Sequence, residues 1–406
     1  MVNQEFTIKD IQKVLKCTNG KITNINISRL TAPGENYLSL VFKVDFEVSI
    51  DNGLSKTIST VAKRIPKQAN QDGLRITSLA MKNEIRWYLE MVPSFKQIAN
   101  ECGILCDYFP FCLGSRFSLD PLKICPDEEA VLLLENLIVK GFKNEDRYVG
   151  FDLTSSKAFL KTIASFHAIT LAAKFKNPKI FRKIKQFMDS LPNPEPPALG
   201  CFNPERLVMD LMLQMPACQP YRAKIEALRE TALGPPVYKE EKEPWNTVIH
   251  GDFWLNNVMV KQRDQKEPLT KLLDFQFLGY SSYAIDVVFF LLTSVKSEVQ
   301  INHFDELLRY YYDQLTSILS KLNIPELRLT YQEYLDEVKR MAMKSECRHA
   351  FFFTTVVYGP KGTGPDPLLG EVDMFENLKN MINNMGELQR EKLGIIVQLA
   401  ATRGWI

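Results

Sequence analysis

The sequence predicts an α+β chain of two lobes, a small N-terminal lobe built on an antiparallel sheet and a larger, mostly helical C-terminal lobe. Three observations carry this reading. Every second residue from Leu38 to Ile50 is apolar (Leu38, Leu40, Phe42, Val44, Phe46, Val48, Ile50), a strand period held over seven sites. Asp51-Asn52-Gly53 follows as a hairpin turn signal, and Ser55–Ile65 returns as the partner strand. From residue 152 the spacing becomes helical, beginning with the stripe Leu160, Ile163, Ala164, His167, Ala168 and Leu171.

Its 406 residues are enough for two or three domains or for one large two-lobed enzyme, and the composition, 45% hydrophobic and 24% charged, is that of an ordinary soluble globular protein. A net charge of +2 gives no electrostatic reason to expect nucleic acid or an anionic membrane as partner. The eight cysteines lack CxxC or zinc spacing, the N-terminus has no apolar signal core, and no apolar run approaches membrane-spanning length. Reduced thiols, a cytoplasmic location, no membrane insertion and a monomeric state are therefore expected.

Residues 5–18 read as a short helix, followed by a link that turns at Gly20. The loop before the first strand offers Gly34, Asn36 and Ser39 as small or hydrogen-bonding positions. It matches no standard phosphate-binding motif and by itself reads as an ordinary turn. On the returning strand Lys63 shares a face with Val61 and Ile65, so alternation points its ammonium inward. It is either a snorkelling lysine or one that holds phosphates. The segment Thr77–Val92 carries a helical stripe of Met81, Ile85, Tyr88, Leu89 and Val92, with Glu84 at its edge. An inward Lys on a strand and an inward Glu on the next helix form the ion pair expected of a nucleotide site.

More strand and turn is expected from Cys102 to Arg116, then a fully buried strand at Ala130–Leu134. The polar link Glu135-Asn136-Leu137 follows, where backbone groups suit adenine; Glu135 is equally readable as a plain strand-end carboxylate. In the larger lobe a helix starts near Thr154 or Ser155, and His167 reads as a hydrogen-bonded core histidine. Residues 190–204 and 234–246 are Pro-rich loops. A helix over Tyr283–Val295 carries Asp286 near its start, which either caps that helix or also braces a neighbouring loop. Helices near 303–321, 331–348 and 373–392 complete the lobe, with Phe351, Phe352 and Phe353 expected to fill core.

The chemistry concentrates in Val248-Ile-His-Gly-Asp-Phe-Trp-Leu-Asn-Asn-Val-Met-Val260. It reads as a strand end, a polar hook of His250, Asp252 and Asn257, and a second short strand. Leu272-Leu273-Asp274-Phe275-Gln276 is a further apolar strand ending in a carboxylate. Turn and capping duties explain each polar residue singly but not the second acid at the next strand's end. Two acids and an amide at strand termini suit a divalent cation that carries phosphates, since magnesium favours one or two carboxylates plus phosphate oxygens. A second Asp beside the metal can orient a hydroxyl and accept its proton. Together these point to phosphoryl transfer from ATP to an alcohol.

The order of these features resembles the aminoglycoside-phosphotransferase and choline-kinase branch of the protein-kinase-like fold. It is most similar to the ecdysteroid-kinase-like (CHK kinase-like) family, which is expanded in insects. The stretches that carry the resemblance are Gly34-Glu-Asn-Tyr-Leu-Ser39, Val131-Leu-Leu-Leu-Glu-Asn-Leu137, Phe166-His-Ala168, His250-Gly-Asp-Phe-Trp-Leu-Asn-Asn257 and Asp274-Phe-Gln276. They place residues 20 to 385 within it. The resemblance implies a nucleotide-binding lobe over residues 1–135 and a catalytic, substrate-binding lobe over 136–406. Asp252 would be the catalytic base or hydroxyl-orienting group, and Asn257 and Asp274 the magnesium ligands. Lys63 would hold the ATP phosphates with Glu84 as its partner, Gly34, Asn36 and Ser39 would form the nucleotide loop, and Glu135 and Leu137 would flank the adenine. His250 would shape the catalytic loop without transferring protons. Asn136 departs from the pattern, standing where an acid often follows the link glutamate. The acceptor implied is an ecdysteroid, at its 22-hydroxyl, or a xenobiotic alcohol or phenol met in detoxification. The alternatives are a choline- or ethanolamine-type kinase, which would need an aromatic cage, and an inactive kinase-like protein that binds a hydrophobic hormone.

Overall fold

The structure, a computed structural model, describes residues 8–15, 21–31, 39–50, 54–66, 71–191, 202–232, 243–362 and 373–406. Gly34, Asn36, the turn at 51–53 and most of the two Pro-rich loops lie outside these residues. The chain forms two compact units, one of residues 1–90, 109–143 and 360–377, the other of residues 91–108, 144–359 and 378–406. The chain passes between them several times.

The first unit begins with α1 (Ile8–Val14), β1 (Lys21–Arg29), β2 (Leu40–Ile50) and β3 (Leu54–Arg64). Next come α2 (Gln71–Arg86), a π-helical turn at Trp87–Met91 that leads the chain into α3 (Val92–Glu101) of the second unit, and, back in the first unit, strands β4 (Cys112–Arg116) and β5 (Val131–Glu135). The five strands form one antiparallel sheet in the order β1-β2-β3-β5-β4. The β2–β3 hairpin keeps register throughout, from Leu40 opposite Arg64 to Ile50 opposite Leu54. Alternation sorts the side chains as the sequence requires. Phe42, Val44, Phe46 and Val48 join Ala62, Val131 and Leu133 in a core that Ile11 and Val14 of α1 cover. Lys63 neighbours Ala62 in sequence and therefore faces the other side, opposite Leu132 of β5.

Strand β1 was not expected from the sequence, and the reason is local. Register slips between Ile22 and Asn24, so Ile22, Ile25 and Ile27 do not alternate cleanly and their period is masked. At the far edge Leu15 bridges to Gly114 of β4, bringing the end of α1 against that strand. A Cβ on Gly114 would lie 1.8 Å from the Val14 carbonyl oxygen.

The second unit is organised around α4 (Leu153–Lys176), whose side chains are buried on every side of its middle turns. Asp152 caps it, accepting the Ser155 amide hydrogen at 2.8 Å, and Lys174 and Lys176 occupy its last turn. Then follow α5 (Pro178–Asp189), α6 (Pro204–Met212), α7 (Arg222–Glu230), β6 (Asn246–Ile249), β7 (Val258–Arg263), β8 (Lys266–Leu272) and β9 (Gly279–Ser282). Strand β6 pairs with β9 and β7 with β8, giving two small antiparallel ladders. Helices α8 (Ala284–Thr293), α9 (Ser297–Lys321), α10 (Tyr331–Met341), α11 (Cys347–Val357), α12 (Met374–Asn383) and α13 (Glu387–Thr402) complete the chain. The helix expected over 331–348 is interrupted by a π-helical turn at Ala342–Glu346, and that over 373–392 is split before Gly386, the N-cap of α13. Phe351 fills core as expected, whereas Phe352 and Phe353 are half-buried.

Glu346, at the end of the π turn, is wholly buried, and one of its oxygens accepts a hydrogen bond from Ser345 Oγ at 2.8 Å. Burial, reinforced by the nearby charges of Asp286 and Glu205, pushes its carboxyl from 4.5 up to about 8. Between those values the folded chain keeps a proton that the unfolded chain has released, so stability falls as pH rises through the window. Glu346→Gln removes this contribution: the variant gains stability relative to wild type between pH 5 and pH 9 in denaturant titrations, and a constant difference contradicts the assignment. Gly114→Ala is expected to cost about 1–3 kcal/mol by overpacking, read as a lowered denaturation midpoint.

Candidate active site

Strand β6 is buried along its whole length and delivers the chain to His250. Two consecutive amides of the hook are then held by one carboxylate. Asp286, in the first turn of α8, accepts from His250 N–H at 2.7 Å and from Gly251 N–H at 2.9 Å. The N-cap of α8 is Tyr283, with no side-chain cap, so Asp286 braces the hook and does not cap the helix. Gly251 has φ 74°, and a Cβ there would lie 2.0 Å from the Phe277 carbonyl oxygen. Only glycine satisfies both conditions.

The His250 imidazole is buried and donates through Nε2 to the Leu273 carbonyl at 2.8 Å, with its ring 4.9 Å from that of Phe275. Burial holds its pKa below the ordinary value, against the opposing pull of Asp286. A neutral ring is thus kept as a brace between the hook and the end of β8.

Asn257 closes a 3-10 turn at Leu255–Asn257 and connects the acids. Its side-chain amide donates to the Asp252 carboxylate at 2.7 Å and to the Asp252 carbonyl at 3.0 Å. Its own carbonyl accepts from Leu273 N–H at 2.8 Å, which fixes the residue before Asp274. Asp274 adopts φ 65°, unusual for a residue with a Cβ, and its carboxylate accepts from Gln276. The structure therefore brings His250, Asp252, Asn257 and Asp274 together. With its amide nitrogen committed to Asp252, Asn257 has its side-chain oxygen as the remaining ligand atom. That oxygen and the carboxylates are hard donors of the kind magnesium takes. Among the described residues no group of three His, Cys, Asp or Glu could hold an ion.

In the first unit, Lys63 Nζ lies 2.6 Å from Glu84 Oε2, both residues being buried. Glu135 accepts from Phe111 N–H at 2.9 Å and pairs with Lys140. Asn136 donates to Ser59 Oγ at 3.0 Å and accepts from Ile138 N–H at 3.0 Å, so the residue that departs from the family pattern braces the link. Leu137 and Ser39 are buried. Gly34 and Asn36 lie outside the described residues.

Sequence reasoning passed over three supports of the hook. Asn144 donates to the carbonyls of Asn256 and Val258 at 3.2 and 2.9 Å, and Ser294 Oγ accepts from Leu255 N–H at 3.0 Å. Lone polar residues in unrelated segments leave no periodic or motif signal. Gly251 did have one, as a glycine between two functional side chains.

The sequence model of the family described as Ecdysteroid kinase-like matches residues 33–324. Among solved structures, the ethanolamine kinase of Plasmodium vivax aligns at 10% identity and a TM-score of 0.40, covering 94% of this chain and 83% of that one. A microcompartment-associated aminopropanol kinase aligns at 10% identity and a TM-score of 0.40, covering 98% of each chain. A wild-type aminoglycoside 2′-phosphotransferase in complex with GDP aligns at 13% identity and a TM-score of 0.40, covering 94% and 93%. No curated protein sequence matches. These TM-scores stay below 0.5, and membership rests on the family model, which spans well over half of the chain. The chain belongs to the ecdysteroid kinase-like family and is a phosphotransferase that uses an alcohol group of a small molecule as acceptor.

Proposed function

We propose that this chain transfers the γ-phosphoryl group of Mg-ATP to a hydroxyl of an apolar small molecule, an ecdysteroid at its 22-hydroxyl or a xenobiotic alcohol or phenol. The observation that carries the reading is the bonding of Asp252 to Asn257, with Asn257 and His250 both tied to the residue before Asp274. Asp252 accepts the hydrogen bond of the acceptor hydroxyl, aligns its oxygen for in-line attack on the γ-phosphorus, and takes its proton as the oxygen–phosphorus bond forms and the bond from that phosphorus to ADP breaks, releasing ADP. The amide of Asn257 holds that carboxylate in place. Asn257 and Asp274 would hold a magnesium ion, which would supply charge neutralisation for the phosphates. Lys63, oriented by Glu84, holds the ATP phosphates, and Gly34, Asn36 and Ser39 belong to the loop that accompanies them. Glu135 and Leu137 flank the link that takes the adenine. His250 keeps the hook in shape and moves no proton.

In this reading residues 1–135 serve the nucleotide and 136–406 the reaction and the acceptor, in a cytoplasmic monomer. Among the described residues no helix is long and apolar enough to cross a membrane. Trp254, two residues beyond Asp252, belongs to a buried apolar cluster behind the hook. Its indole packs edge-on against Phe353 at 4.9 Å, and Phe353 in turn lies 5.0 Å from Phe289.

A screen with radiolabelled ATP against ecdysteroids, plant phenols, choline and aminoglycosides tests the reaction and the acceptor class together. Transfer to a steroid or phenol is expected; no transfer to any of them, with no thermal shift by Mg-ATP, overturns the reading. Asp252→Ala should lower kcat by about 10²- to 10⁴-fold with nucleotide affinity unchanged, and retained turnover removes Asp252 from its role. Lys63→Ala should raise the KM for ATP and lower the denaturation midpoint, because it removes one member of a buried ion pair. An unchanged ATP dependence counts against the pair.

A further inference from the structure

The catalytic hook hangs on Asp286, and Asp286 is itself held from behind. His167 of α4 is fully buried, and its Nε2 lies 2.9 Å from the Asp286 oxygen that also accepts His250 N–H. Its other nitrogen, Nδ1, lies 2.7 Å from the hydroxyl of Tyr311 on α9, which is also fully buried. A carboxylate only accepts, so Nε2 carries the ring proton. In the neutral ring Nδ1 then accepts, and Tyr311 is the donor. Burial pushes the Tyr311 hydroxyl well above its ordinary value and keeps it protonated for that task. The tyrosine ring is clamped in turn by Tyr283 and Tyr334, stacked at 6.1 and 5.9 Å.

We infer that His167 and Tyr311 are positioning residues for the phosphoryl-transfer site: the chain Tyr311–His167–Asp286 fixes the carboxylate that holds the His250 and Gly251 amides, and so fixes where Asp252 stands. Each group in the chain has its partner within hydrogen-bond distance. Filling of the core alone would not require this chemistry, because apolar side chains of similar volume serve a buried site at least as well. A satisfied polar chain instead specifies one geometry. Helix α4 is also tied to the strand that feeds the hook, since Thr247 Oγ1 donates to the His167 carbonyl at 2.8 Å. Three helices thus converge on two backbone amides.

Amide hydrogen exchange on the full chain without substrates tests this independently of the proposed reaction. His167→Phe keeps the volume and removes both hydrogen bonds. Exchange at the His250 and Gly251 amides should rise by about tenfold or more, while the β2–β3 hairpin amides stay unchanged. His167→Gln, which retains a donor and an acceptor, should restore much of the protection. Tyr311→Phe, which keeps the ring stack, should give a smaller effect of the same sign and serves if His167→Phe does not fold. In turnover, His167→Phe should lower kcat by about 10- to 100-fold with the KM for ATP little changed, and His167→Gln should recover most of it. Unchanged protection at the two amides, deprotection spread evenly over the second unit, or equal effects of Phe and Gln at position 167 would each overturn the inference. If the wild type transfers no phosphate, the functional reading fails while the exchange result still decides this one.

Discussion

One carboxylate, that of Asp286, sets the geometry on which the rest of the second unit depends. Catalysis by positioning requires that a reacting group be placed to within a fraction of an ångström. A short turn between two strands has little core of its own with which to do this. Here the turn borrows its rigidity from helices. Asp286 reaches from α8 to two successive amides, the ladders on either side pin the turn's ends, and His250 crosses to the Leu273 carbonyl. Each bond is a hydrogen bond to backbone or to a group that is itself held. Asp252 therefore inherits the order of the helical core without being buried in it.

The first unit solves a different electrostatic problem. An ammonium that is to bind phosphates must be charged and aimed, yet burial penalises the charge. Pairing Lys63 with Glu84 at 2.6 Å fixes the direction of the ammonium that the proposed function gives to the ATP phosphates, at the cost of desolvating two ions. The sheet makes this affordable by dividing its faces, one given to the core under α1 and the other to Lys63.

Much of this was legible in the sequence, for physical reasons that differ by element. The β2–β3 hairpin announced itself because one face of it is core and period two survives intact. Lys63 and Glu84 were paired from phase alone, as each interrupts an apolar face at the position where it must point inward. The hook residues were visible because their spacing lies within one turn. What escaped had no local signature. The bulge in β1 scrambles its alternation, the π turn before Cys347 interrupts a helix whose composition does not show it, and α4 is buried all round, so its stripe understated its central place. Asp286 was recognised as near the right place, yet its choice between capping and bracing depends on amides 35 residues away in sequence.

Gly251 and Phe277 show an asymmetry that bears on how sequences of this fold can drift. The contact that forbids a side chain at 251 is made with the carbonyl oxygen of residue 277, an atom that every amino acid carries. The Phe277 ring is exposed. No exchange at 277 can make room at 251, so a compensating pair of substitutions is ruled out at this contact. Position 251 is thereby closed to variation while its neighbour in space remains open to almost any residue, and the two should evolve without covariation despite being in contact.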